Sequence, residues 1–134
     1  MAYLIGIALA LAVAGFAGLT GLDRERGFYP TVLVVIASYY DLFAVMGGAM
    51  PVLGVETLGL VAYAAVAVIG FRTSLWVVVA GMAAHAALDT VHAALIANFG
   101  APAWWPPFCL SFDLTLAVWL GWRLATSSPS AARR

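Results

Sequence analysis

Ala80 to Leu95 reads AGMAAHAALDTVHAAL, an alanine-rich apolar stretch that carries His85, Asp89 and His92. At about 100° per residue those three positions fall within roughly 60° of one another, so a helix over this stretch bears a single polar stripe on one face. Ionisable groups inside an apolar helix are costly. They are kept where they turn toward a protein interior and find a partner there. The fold must therefore supply that interior, and the partner defines the chemistry.

Composition sets the solvent. Of 134 residues, 65% are hydrophobic and 9% charged, and the mean hydropathy is +1.04; a water-soluble domain of this size carries far more charge. The sequence thus predicts an all-α integral membrane protein whose first partner is the lipid bilayer. Zero formal net charge, with no lysine, gives no basic surface for nucleic acid. A single cysteine, Cys109, excludes an internal disulfide.

Working outward from the stripe, the apolar runs divide into five spans near 2–22, 30–50, 55–71, 74–97 and 107–124, together forming one transmembrane domain over 1–126, with a short polar tail over 127–134. Each approaches the roughly 20 helical residues that cross a bilayer. The first run lacks a positive leading segment and reads as a retained span rather than a secretory signal; Gly15, Gly18 and Gly21 offer it a surface for close helix approach. Pro30 opens the second span and Pro51 follows its end, while Glu56 falls in the first turn of the third, at the interface. Thr73 or Ser74 caps the fourth. Trp104 and Trp105 read as an aromatic anchor at headgroup depth.

Five spans place all six arginines, Arg24, Arg26, Arg72, Arg123, Arg133 and Arg134, on one side. By the positive-inside rule that side is the cytoplasm, giving an N-out, C-in topology in a bacterial-type plasma membrane. Five short helices also leave apolar surface for a homo-oligomer.

Depth follows from a rise of about 1.5 Å per residue. Asp41 and His85 come out level near the midplane, and Asp89 level with Asp113 closer to the outer face, with Cys109 one turn above Asp113. A carboxylate at a helix centre costs about 2.5–3.5 kcal/mol, and no arginine or lysine lies at these depths. Asp41, Asp89 and Asp113 are left with protonation, pairing with His85 or His92, or a metal cation.

Histidine and carboxylate together suit Zn, Fe or Mn in a helical bundle. The predicted ligands are His85, Asp89, His92, Asp113 and Asp41, supported by Glu56, Tyr40, Cys109 and Ser38. Seven residues separate His85 from His92, about 10.5 Å along the axis, so a single ion does not take both. Haem is disfavoured because the two histidines share one helical face. The leading function is a metal site in the outer half of the bilayer, with metal-dependent hydrolase or oxidoreductase chemistry on a lipid or small apolar substrate. The alternatives are a proton- or metal-ion-conducting subunit using the same residues as a relay, and a structural subunit in which they only fix helix packing.

Overall fold

In the computed structural model, residues 1–127 are described. They form five helices and one short 3-10 turn: α1 (Ala2–Thr20), the turn Leu22–Arg24, α2 (Phe28–Met46), α3 (Met50–Arg72), α4 (Leu75–Leu95) and α5 (Trp105–Thr126). No strand occurs among the described residues. All five helices are long and apolar enough to cross a membrane. Residues 128–134, most of the polar tail, lie outside the described residues.

Element ends follow local chemistry. Gly21 ends α1 with φ 82°, a left-handed conformation open to glycine without strain. Ser74 caps α4, its side chain accepting from the Trp76 N–H at 3.3 Å. Helix α3 starts five residues earlier than the sequence suggests. Pro51 does not terminate the second span; it sits in the first turn of α3, where a missing N–H costs nothing. This moves Glu56 out of the first turn and into the protein, where it is 5% exposed.

Helix α5 packs along both α1 and α4, α2 pairs with α3, and α4 bridges the two groups through contacts with α2 and α3. On α1 the packed face is Gly6, Ala10, Ala14 and Ala17. The close approach to α5 occurs at Gly6, where a Cβ would overlap the Ser111 side chain and the Phe108 carbonyl, whereas one on Gly15 would meet nothing. The predicted Gly15, Gly18 and Gly21 surface is therefore not the contact.

Among the described residues, the arginines gather at one end of the bundle. Arg26 donates to the carbonyls of Phe71, Gly70 and Thr73 at the end of α3. Arg123 pairs with Asp23 at 2.8 Å, tying the end of α5 to the turn after α1. At the opposite end lie the α2–α3 turn and the segment 96–104. There Trp105 is 8% exposed rather than anchored at a surface, because it packs between Tyr39 and Phe43 with ring centroids 4.7 and 4.9 Å away. Trp104 remains exposed.

Segment 96–104 reaches the bundle through Gly100. A Cβ there would overlap the Phe43 backbone carbonyl, which cannot rotate away as a side chain can. Gly100→Val is expected to lower stability by about 1–3 kcal/mol, read as a lower denaturation midpoint in detergent. An unchanged midpoint would show that the segment does not rest on α2.

A candidate metal centre between α4 and α5

On α4 the buried face is Val78, Gly81, Met82, His85, Ala86, Asp89 and His92, which is the stripe and its continuation toward the arginine end. On α5 it includes Cys109, Phe112, Asp113, Leu116 and Leu120. The two faces meet, and the His85 Nδ1 lies 2.7 Å from Asp113 Oδ2. Cys109, one turn earlier on α5, places Sγ 3.8 Å from the same oxygen. Asp89, one turn beyond His85, has Oδ2 3.6 Å from His85 Nδ1, and its Oδ1 accepts the Tyr40 hydroxyl at 2.6 Å. Tyr63 from α3 closes against the His85 ring edge-on.

His85, Asp89, Cys109 and Asp113 each offer a ligand atom, and these atoms lie within 4.8 Å of one another. Asp113 is 0% exposed and His85 1%. No arginine is paired into the cluster among the described residues, whose ion pairs at this depth are all with imidazoles. Two carboxylates and one ring leave an excess negative charge even with His85 protonated. Asp89 Oδ2 and Asp113 Oδ1 are, moreover, buried without a hydrogen-bond partner. Buried polar atoms are normally satisfied, so these two oxygens mark where a cation or a proton belongs. A divalent ion would offset the charge of the two carboxylates beside a neutral imidazole, and Cys109 would join it as the thiolate, giving up its proton and leaving one net negative charge. Bond lengths of about 2.0–2.3 Å to such an ion would require the His85–Asp113 contact to open by less than 1 Å.

His92 belongs elsewhere. Its Nε2 lies 3.0 and 3.1 Å from the two oxygens of Glu56, and Asn98 donates to Glu56 at 2.7 Å and to the Tyr40 carbonyl at 2.9 Å. The Tyr40 ring stacks on His92 with centroids 3.7 Å apart. Tyr40 thus stands between two polar groups, its hydroxyl in the first and its ring and carbonyl in the second.

Asp41 joins neither. It accepts the Thr57 hydroxyl at 2.6 Å, on the side of α2 that meets α3. The reason is angular: Leu33, Ile36, Ala37, Tyr40 and Ala44 form the buried face of α2, and the next position after Tyr40 is rotated by about 100°. Equal depth with His85 therefore does not bring Asp41 to it. Ser38 bonds back to the Val35 carbonyl at 2.7 Å and takes no part. Cys109, assigned a supporting role from sequence, stands instead among the four ligand-bearing groups. Asn98 carries no local signal in the sequence, since it sits in an irregular segment; Tyr63, seven residues beyond Glu56 and so on the same face of the third span, is legible as a partner, and it meets His85 through its ring.

Comparison with protein-family models, curated proteins and solved structures returns no match for this chain.

Proposed function

We propose that this is a multi-pass membrane metalloprotein that binds one divalent transition metal through His85, Asp89, Asp113 and Cys109. The observation that carries the reading is the pair of unpartnered, buried carboxylate oxygens beside an imidazole and a thiol. The donor set also bears on the metal. A sulfur ligand beside nitrogen and carboxylate oxygen favours Zn or Fe over Mn. Such an ion acts as a Lewis acid or activates a bound water, which fits a metal-dependent hydrolase or oxidoreductase acting on a membrane-borne substrate. The gathering of Arg26 and Arg123 contacts at one end supports an N-out, C-in orientation by the positive-inside rule.

Elemental analysis of the detergent-purified protein tests the reading. Wild type is expected to carry a stoichiometric transition metal, and His85→Ala and Asp89→Ala to lose it. In cobalt-loaded protein, Cys109→Ser is expected to remove the sulfur-to-metal charge-transfer band. Metal-free wild type that takes up no added Zn or Fe would overturn the proposal.

A second reading, a proton- or metal-ion-conducting subunit, draws on the Glu56–His92 pair, which with Tyr40 extends the polar residues toward segment 96–104. It requires pH-driven ion flux in liposomes, which the metalloprotein reading does not.

A further inference from the structure

A second feature lies on the other side of Cys109. Helices α1 and α2 are consecutive, yet each packs on a different neighbour, α1 on α5 and α2 on α3. Between α1, α2 and α5 this leaves a cleft of about 570 Å³, within the size range of small-molecule sites. Its rims are exposed apolar residues, with Leu9 46% and Val35 48% exposed. Its floor is buried and includes Ile36, Phe112 and Cys109.

The cleft has two unlike ends. Leu22, Glu25 and Gly27 line it at the arginine end, beside the polar turn that follows α1. At the other end Tyr39 and Trp105 pack ring against ring and close it. Along α2 the lining runs from Phe28 to Tyr39, which is about 16 Å at 1.5 Å per residue. That is half of a hydrocarbon core of about 30 Å. A membrane-spanning helix from a second copy would need a groove of the full thickness. One leaflet's worth of hydrocarbon chain needs half.

We propose that this cleft holds the hydrocarbon chain of a membrane lipid from the leaflet at the arginine end, with the free end of the chain against Cys109. The polar part of the lipid then stays at the Glu25 end, and the chain passes over an apolar floor until Tyr39 and Trp105 stop it. Cys109 is the shared wall: it lines the cleft, and its Sγ is 3.8 Å from Asp113 Oδ2, which is 2.7 Å from His85. Combined with the metal-centre reading, on which this step alone rests, the substrate class is a lipid presented by its chain end rather than by its headgroup.

Photolabelling tests the binding directly. The full chain is reconstituted in phosphatidylcholine vesicles containing a phosphatidylcholine with a diazirine at the chain terminus, irradiated, digested and mapped by mass spectrometry. Label is expected to concentrate severalfold on the Trp105–Phe112 stretch and on Ile36 relative to the exposed α3 residues Val55, Leu58 and Val61. Leu9→Trp and Val35→Trp, both at exposed rim positions that tolerate bulk, are expected to reduce that label. In detergent solution excess unlabelled phosphatidylcholine should remove it as well, a check that needs no variant. Label spread evenly over α3 and α5, or unaffected by both variants and by competitor, would overturn the proposal. Metal content is measured on the same samples. Metal with no localised label removes the lipid site and leaves the metal centre, whereas localised label without metal does the reverse.

Discussion

Asp113→Asn is expected to abolish metal binding while leaving the metal-free protein at least as stable as wild type. The opposed directions follow from what Asp113 does. It is fully buried, one carboxylate oxygen is held by His85 at 2.7 Å, and the other has no partner. In the absence of a cation that arrangement is a liability, because an incompletely paired buried charge loses more in desolvation than it regains. Asparagine keeps the shape and one acceptor for His85, and removes the charge. With the metal present the sign reverses. Ligand binding to the folded state alone stabilises it by about 2.7 kcal/mol at a hundredfold excess over Kd, and Asp113→Asn forfeits that increment together with a ligand. The measurement is a thermal denaturation series in detergent with and without added Zn or Fe. Wild type should shift upward with metal and the variant should not, from an equal or higher metal-free midpoint. A variant that still shifts would show that Asp113 is not a ligand. A variant that is strongly destabilised without metal would show that its carboxylate is a packing group satisfied by His85 alone.

The five helices were legible because each apolar run is long enough to cross a bilayer and is separated by residues that break or cap a helix. Their ends were less legible where one residue type supports two meanings. Pro51 reads equally as the stop after α2 or the start of α3, and choosing the first put Glu56 at an interface instead of inside the bundle. On a single helix, periodicity was sufficient: His85, Asp89 and His92 share a face, and all three are buried. Between helices, depth was a partial guide. It set Asp89 level with Asp113, two groups that lie in the same cluster, and it set Asp41 level with His85, which never meet. What depth omits is rotation about the helix axis. Tyr39, Tyr40 and Asp41 are consecutive polar or aromatic residues on α2, and only the packing of Leu33, Ile36 and Ala44 against α4 and its neighbours decides that Tyr40 turns inward and Asp41 toward Thr57. Asn98 was invisible for another reason. Its role depends on segment 96–104 folding back against α2 at Gly100, a tertiary event with no local pattern.

The Glu56–His92 pair gives the second large effect, and it separates a buttress from a metal ligand. Glu56 accepts from His92 and from Asn98, and all three are buried. Glu56→Ala leaves an imidazole and an amide N–H without their acceptor in an apolar interior. Stranding buried polar groups in this way costs about 1–3 kcal/mol for each one left unsatisfied, a large share of the stability of a small protein. Replacing both members removes the stranded partner. Glu56→Leu combined with His92→Leu is therefore expected to recover part of the stability lost in either single variant, a non-additivity that contacting pairs show and distant ones do not. The same double variant should retain stoichiometric metal, since His85, Asp89, Cys109 and Asp113 all remain. Tyr40 is the one route by which it could fail, because its ring stacks on His92 while its hydroxyl holds Asp89. Retained metal would establish two independent polar groups, one that binds and one that fixes α3, α4 and segment 96–104 against each other. Lost metal with restored stability would instead make His92 part of the centre through Tyr40, and the division drawn between the two groups would have to be given up.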